Sequence, residues 1–125
     1  MIAALNRIVD VVEQHLADDL DLDALAREAG TTGYHLRRMF SSLAGMPLSE
    51  YVRRRRMTLA AAEVLGDASL LDVAVRHGYG SAEAFARAFR AVHGVGPTQA
   101  RRDGGPLRPQ PLVRFRLTVE GSTSM

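Results

Sequence analysis

Two stretches of the chain repeat one pattern: LDALAREAGTTGYHLRRMFSSLAGMPLSEY (residues 22–51) and LLDVAVRHGYGSAEAFARAFRAVHGVGPTQA (residues 70–100). The offset between them is 48 residues before the second helix of each unit and 49 after it, as shown by four pairs: Ala26 and Ala74, Gly30 and Gly78, Phe40 and Phe89, Gly45 and Gly94. Each copy predicts a short helix, a turn that opens on glycine and a longer helix with an aromatic core residue. This arrangement is a helix-turn-helix, and a tandem pair is a much more specific signal than one copy.

The residues around the repeat also follow helical spacing, so the sequence predicts an all-α fold of about seven helices. Core positions are predicted in the first helix (about residues 3–17) and in the longer helix of each unit: Leu5, Ile8, Val9, Val12 and Leu16, then Leu36, Met39, Phe40 and Leu43, then Phe85, Phe89 and Val92. The predicted domain covers residues 1–103, with helix-turn-helix units at about 21–45 and 70–94 and a linker helix at about 48–66.

The last part of the chain, residues 104–125, has a different character. Glycine and proline dominate DGGPLRPQP (103–111), which is typical of a linker. In LVRFRLTVEG (112–121) apolar residues alternate with arginine and threonine, which predicts one β-strand. A single strand cannot satisfy its own backbone groups, so the segment is expected to need a partner.

The composition argues against several classes of function. The chain has no cysteine, which removes thiolate metal sites and cysteine nucleophiles. No apolar run is long enough to cross a bilayer, and Asp10 and Glu13 come too early for a secretory signal, so a cytoplasmic location is expected. The four histidines lack metal-ligand spacing, and no phosphate-binding loop or catalytic triad pattern is present. The sequence therefore predicts no metal, no cofactor and no enzymatic activity.

Charge is unevenly distributed along the chain, although the net charge is only +2. Residues 1–28 carry a net charge of −5 and residues 29–125 a net charge of +7, and all 16 basic residues are arginine. The second region is therefore expected to present a basic surface that suits a polyanion.

Three segments resemble the DNA-binding domain of the AraC/XylS family of bacterial transcription regulators: LAREAGTTGYHLRRMF (25–40), GMPLSEYVRRRRM (45–57) and VAVRHGYGSAEAFARAFRAVHGVGPTQAR (73–101). The resemblance extends over about residues 3–102. It implies that two recognition helices, at about 33–44 and 81–93, enter adjacent major grooves of a double-stranded DNA operator. It also implies a regulator, expected to be an activator, that works with RNA polymerase.

The tail resembles the junction to a C-terminal GyrI-like effector-binding domain of some relatives. This second resemblance implies that a small-molecule effector acts only through a domain absent from this chain. A flexible tail, or a strand lent to a neighbouring chain, would account for the same residues.

The side of each recognition helix that faces away from the core predicts the contacts with bases. They are Gly33, Tyr34, Arg37 and Arg38 on the first helix, and Ala82, Glu83 and Arg87 on the second. Because an arginine can hold guanine O6 and N7 with its guanidinium fork, the first helix is expected to carry more sequence information than the second. Contacts with the DNA backbone are predicted for Thr32, Ser49, Arg54, Ser81, Arg90 and Thr98.

Four consecutive arginines, Arg53 to Arg56, lie in the linker helix. Consecutive helical residues point about 100° apart, so the four cannot grip one phosphate patch. One or two are expected to contact phosphate, and at least Arg56 is expected to be held by protein groups. The alternative to DNA binding is a helical interaction module whose basic face binds an acidic protein partner.

Overall fold

The computed structural model describes residues 1–18, 20–119 and 121, and in that part the chain forms seven α-helices and no β-strand. The helices are α1 (Ile2–Gln14), α2 (Leu22–Glu28), α3 (Gly33–Ala44), α4 (Leu48–Val64), α5 (Leu70–Arg76), α6 (Ala82–His93) and α7 (Pro97–Asp103). The predicted all-α fold is confirmed. None of these helices is long and apolar enough to span a membrane.

Two hydrophobic cores share the helix α4. This helix gives Leu48 and Tyr51 to the first core, and Met57 and Val64 to the second. The rest of the first core comes mainly from α1, α2 and α3: Leu5, Ile8, Val9, Val12, Leu16, Leu22, Ala26, Leu36, Phe40 and Phe115. The rest of the second core comes from α4 to α7: Ala60, Ala61, Val73, Ala74, Phe85, Phe89, Val92 and Ala100. Because one helix supplies both cores, close packing along it fixes one unit relative to the other.

The two helix-turn-helix units, α2–α3 and α5–α6, have the same local construction. The hydroxyl oxygen of Thr32 accepts from the His35 backbone N–H at 3.1 Å, and that of Ser81 accepts from the Ala84 N–H at 3.0 Å. Each cap satisfies a backbone donor that the first turn of a helix leaves free. At the other end, α3 and α6 both stop at a left-handed glycine, Gly45 with φ 78° and Gly94 with φ 81°. The repeated residues are therefore the signals that begin and end the second helix of each unit.

One predicted core residue is exposed. Leu36 and Phe40 of α3 are buried and Met39 is half-buried, but Leu43 is 52% exposed, so its assignment to the core is wrong. Leu43 lies on the same face as these residues, in the last turn of α3, but the first core does not cover its side chain.

The tail from residue 104 to residue 119 forms no strand, so the strand prediction is wrong for the described residues. Residues 120 and 122–125 of the predicted tail segment lie outside them. Four tail N–H groups donate to side chains instead: Arg108 to His93 Nδ1 (2.9 Å), Gln110 to Thr58 Oγ1 (2.8 Å), Val113 to the Tyr51 hydroxyl (3.2 Å) and Phe115 to Asn6 Oδ1 (2.9 Å). Residues 108–115, here called the strap, therefore run from α6 across α4 to α1.

Phe115 anchors the end of the strap in the first core. Its side chain is buried, and its ring meets the Phe40 ring edge-on with centroids 5.7 Å apart. The Asn6 side chain holds both sides of its backbone, since Nδ2 also donates to the Phe115 carbonyl oxygen at 3.0 Å. The backbone N–H and carbonyl groups of Phe115 are thus both paired with one side-chain amide.

Arg55 is the buried member of the arginine quartet. Its Nε and Nη2 donate to the two carboxylate oxygens of Glu13 on α1, at 3.0 and 2.5 Å, and its Nη1 donates to the Gln110 carbonyl oxygen at 2.6 Å. The hydrogen bonds that Arg55 donates to Glu13 raise the pKa of Arg55 above its already high usual value, so the guanidinium stays charged. One side chain of α4 therefore holds both α1 and the strap.

The other three arginines are held in two different ways. Arg56 donates from Nε to the Leu16 carbonyl oxygen at 2.6 Å and lies 5.8 Å from the centroid of the Tyr79 ring, so the expectation that protein groups hold it is confirmed. Arg53 and Arg54 both pair with Glu50, one turn back on the same helix. The run of identical residues has no single role.

Replacing Phe115 with Ala should lower the free energy of unfolding by about 2–4 kcal/mol, because the first core loses an aromatic side chain that contacts Phe40. The control is Leu117→Ala, since Leu117 is 80% exposed on the same tail and should change stability by no more than about 0.5 kcal/mol. Urea unfolding followed by circular dichroism measures both. Equal stability of the two variants would mean that the tail is not part of the fold.

Replacing Glu13 with Gln should lower the free energy of unfolding by about 2–4 kcal/mol. The reason is that a neutral amide of the same shape turns one N–H group toward the buried Arg55 guanidinium. Asp10→Asn is the matched control on α1: Asp10 pairs with Arg114 where both side chains are about half exposed, and such exposed pairs contribute little to stability. Urea unfolding at neutral pH separates the two variants. A cost for Asp10→Asn as large as for Glu13→Gln would contradict the special role of the buried pair.

Candidate nucleic-acid interface

In the first turns of α3, the predicted base contacts Tyr34, Arg37 and Arg38 are all exposed. Tyr34 is 69% exposed, and its hydroxyl accepts a hydrogen bond from Arg38 Nη1 at 3.1 Å. The Arg38 guanidinium also lies 5.7 Å from the centroid of the Tyr34 ring. The tyrosine thus holds this arginine in place at the N-terminal half of the helix, with its remaining N–H donors turned to solvent.

Gly33 does not belong to this exposed face. It is buried against α2, and a Cβ atom at its position would lie 2.1 Å from Asp23 Oδ1. The prediction that Gly33 contacts a base is therefore wrong. A larger residue would have to displace the Asp23 carboxylate, which accounts for a glycine at the start of a helix.

The equivalent face of α6 is less polar. Glu83 and Arg87 are exposed, whereas Ala82 and Ala86 are half-buried. Arg87 occupies the position that Arg38 has on α3, but Glu83 stands where α3 has Tyr34. Among the described residues, no ion pair within 4.0 Å joins Glu83 to Arg87. The two helices therefore present unlike sets of side chains on the same backbone arrangement.

Ser49 and Thr98 lie beside the two recognition helices in matching places. Each is the exposed second residue of the following helix, α4 or α7. Ser49 lines a shallow cavity of about 360 Å³ together with Tyr34, Arg37 and Arg38. Thr98 lines one of about 200 Å³ together with the exposed side of α6. The structure thus brings both hydroxyls next to the predicted base contacts.

The hydroxyl groups of Thr32, Ser81 and Ser49 differ in the hydrogen bonds that they already make as helix caps. The oxygen atoms of Thr32 and Ser81 accept backbone hydrogen bonds as helix caps, which leaves their hydrogens for an outside acceptor. The N-cap residue of α4 is Pro47, which makes no side-chain cap bond, and not Ser49. The Ser49 hydroxyl is therefore not used in capping.

Arg53, rather than Arg54, shares the exposed face with Ser49. Arg53 comes one turn after Ser49 and lines a groove with Arg37. Arg54 lies on the strap side of α4, where it lines a cavity with Arg108 and donates from Nε to Glu50 at 2.9 Å. The structure does not bring Arg54 to the other candidates. Helical spacing from Ser49 was the signal that would have selected Arg53.

Arg90, the remaining predicted backbone contact, lies at the end of α6. It is exposed, and its guanidinium packs against the turn that leads into α7, where a Cβ atom at Gly96 would come within 3.1 Å of its Nη2. Its place three residues after Arg87 puts it on the same side of α6 as Glu83 and Arg87, at the C-terminal end of that face.

Comparison with known proteins shows which family shares this arrangement of helices. A family model described as a helix-turn-helix domain matches residues 25–103. The transcriptional activator AarP of Providencia stuartii is 37% identical over 98 residues, covering 78% of this chain and 73% of AarP. This chain belongs to the AraC-type helix-turn-helix family. The regulatory protein SoxS of Salmonella typhimurium is 31% identical over 78% of this chain and 92% of its own length. Membership assigns the chain to transcription regulators and not to enzymes.

Solved structures agree with this assignment. The DNA-binding domain of AdpA, a global transcriptional factor solved in complex with a target DNA, has a TM-score of 0.64 and 30% identity, covering 78% of this chain and 89% of that one. The C-terminal domain of the response regulator AraT from Geobacillus stearothermophilus has a TM-score of 0.71 at 23% identity and covers 97% of this chain and 94% of its own. The second likeness concerns the fold alone.

Proposed function

We propose that this protein is a sequence-specific DNA-binding transcription regulator that places α3 and α6 in two adjacent major grooves of one operator. The observation that carries the proposal is the pair Arg38 and Arg87, which are exposed at equivalent positions on two equivalent helices. The major groove is wide enough for an α-helix, and arginine is the side chain that most often reads guanine there. AarP and SoxS, the relatives named above, support the same class of function.

The two helix-turn-helix units offer unequal sets of side chains for base recognition. Tyr34, Arg37 and Arg38 offer two guanidinium forks and an aromatic ring to the bases, whereas the second unit offers Glu83 and Arg87. We infer that α3 supplies most of the base discrimination and that α6 mainly sets the position and orientation of the protein. Ala82, half-buried at the start of α6, contributes at most an apolar contact to a thymine methyl group.

Phosphate contacts surround these base contacts. Ser49 and Thr98 offer hydroxyl donors beside the recognition helices, in the first turns of α4 and α7, where a helix has N–H groups without an intrahelical partner. Arg53 adds a positive charge on the face of Ser49, and we assign it the contact predicted for Arg54. Thr32, Ser81 and Arg90 lie at the ends of the recognition helices, where the DNA backbone borders the groove.

The regulator is further proposed to be an activator that contacts RNA polymerase in the bacterial cytoplasm. A separate effector-binding domain, implied by the resemblance of the tail, stays a prediction from the sequence. The alternative function, a module whose basic face binds an acidic protein, predicts no preference among DNA sequences and is decided by the experiment that follows.

Replacing Arg38 with Ala should weaken binding to the preferred duplex by about 1–3 kcal/mol and relax the preference at one base pair. Arg87→Ala should do the same at a base pair about one helical turn away. The duplex is first selected from a random library, and fluorescence anisotropy at physiological salt then measures the affinity for it and for each single-base change.

Arg7→Ala is the control for lost charge, because Arg7 is exposed on α1 and pairs with Glu28 at 3.7 Å. It should leave the base preference unchanged. A library that yields no preferred sequence would reject the regulator and favour the protein-interaction module.

Arg53→Ala and Arg54→Ala test the assignment on α4. Arg53→Ala should weaken binding to all sequences alike and reduce the slope of log Kd against log salt concentration by about one, since one phosphate contact is lost. Arg54→Ala should leave that slope unchanged, because Arg54 lies on the strap side of α4. Titrations at several salt concentrations measure both slopes. A reduced slope for Arg54→Ala and an unchanged slope for Arg53→Ala would instead assign the phosphate contact to Arg54.

A further inference from the structure

A groove with an apolar floor lies between the two helix-turn-helix units, on the side of α4 that carries Ser49 and Arg53. Its volume is about 320 Å³. Leu20, Leu48 and Val52 form part of its floor, Arg37 and Arg53 stand at its rim, and Tyr79 lines it from the second unit. The groove is thus built by both units and by the helix that joins them.

The composition of this groove is not what a phosphate contact requires. A phosphate needs donors and positive charge, which Arg37 and Arg53 supply, but the leucine and valine side chains between them offer it nothing. Sites for small organic molecules, by contrast, combine a mostly apolar lining with a few placed polar groups and occupy about 300–1,000 Å³. This groove lies at the lower end of that range.

The two rim arginines are also available to a ligand to different degrees. No carboxylate lies within 4.0 Å of the Arg37 guanidinium in the described part of the chain. Arg53 shares Glu50 with Arg54, and both its side chain and that of Arg54 are more than two-fifths exposed. Asp18 is the acidic residue at the outer edge, and it pairs with His15 at 3.3 Å.

We propose that this groove binds an amphiphilic organic anion, a carboxylate with an apolar body, and that the bound anion excludes DNA. The carboxylate accepts hydrogen bonds from the guanidinium groups of Arg37 and Arg53, which match it in geometry and charge. The apolar body packs over Leu48 and Val52, and this contact removes apolar surface from water. Tyr79 closes the groove at the end where its ring meets Arg56.

Exclusion of DNA rests on the proposed function, because Arg37 and Arg53 are there assigned to a base and to a phosphate. A carboxylate held by the same two groups neutralises them, and its apolar body occupies the space between the recognition helices. Binding of the anion itself depends on no property of DNA and is measured without it.

Decanoate, used below its micelle-forming concentration, is the probe. Isothermal titration calorimetry measures its affinity, and backbone amide chemical shifts locate its site. Decanol, which lacks the carboxylate, and acetate, which lacks the apolar body, should each bind at least about tenfold more weakly, which corresponds to the loss of one good interaction. The largest shifts from decanoate are expected at Val52, Arg53 and Tyr79.

Val52→Phe fills the floor of the groove and should weaken decanoate binding about tenfold or more without weakening DNA binding, since Val52 has no assigned contact with DNA. Val75→Phe is the matched control: Val75 is 61% exposed on α5, and the same change there should leave decanoate binding unaltered. If Val52→Phe lowers the melting temperature so far that it is unfolded, Leu20→Phe narrows the groove from its other wall.

In the wild-type protein, saturating decanoate should raise the apparent Kd for the selected duplex, and in Val52→Phe it should not. The proposal is overturned if decanol binds as well as decanoate, if the shifts map elsewhere, if the variant binds decanoate like the wild type, or if DNA affinity is unchanged at saturation. Absence of a preferred duplex without any ligand would instead reject the proposed function, while calorimetry would still decide whether the groove binds the anion.

Discussion

The buried Arg55 guanidinium is the constraint on which the rest of this structure depends. A charge taken out of water is tolerated only when its donors are paired, and here the partners are the two Glu13 oxygens and the Gln110 carbonyl oxygen. Those partners belong to α1 and to the strap, so the three segments must meet at one point of α4. The first core closes around that meeting point, with Tyr51 and Phe115 packed against Phe40.

Helix α4 separates a structural side from a side that faces the recognition helices. The strap covers the first side, where Tyr51, Arg55 and Thr58 hold its backbone. Ser49 and Arg53 lie on the other side, about half a turn away. A run of four arginines suits this position because successive residues reach different sides of the helix: Arg55 meets Glu13 and the strap, Arg56 meets Leu16, and the other two share Glu50. The run resembles a binding motif in the sequence, but in the structure it is mostly a set of internal connections.

What the sequence predicted well was set by local signals, and what it missed depended on distant partners. The repeated hydroxyl and glycine residues define helix ends through bonds within a few residues, so both units were identified correctly. The burial of Gly33 depends on Asp23 of another helix, and the choice between Arg53 and Arg54 depends on where the strap lies. Apolar and polar residues alternate in the tail as they do in a strand. Val113 and Phe115 do face the core, but Leu117 and Val119 are 80% and 82% exposed. Alternation predicts an extended chain and cannot say whether another backbone or a set of side chains will pair with it.

The same connections bear on how two recognition helices can fit one operator. His93 donates from Nε2 to the Met57 carbonyl oxygen at 3.0 Å and accepts at Nδ1 from the strap, which ties α6 to the middle of α4. Arg101 of α7 donates to the Val64 and Ala68 carbonyl oxygens at 2.8 and 2.5 Å, which ties the last helix to its end. With both units held to one helix, the separation of α3 and α6 is a property of the protein. On the proposed function, the DNA must then meet that separation, and operators whose central steps bend easily are favoured even where no side chain touches a base.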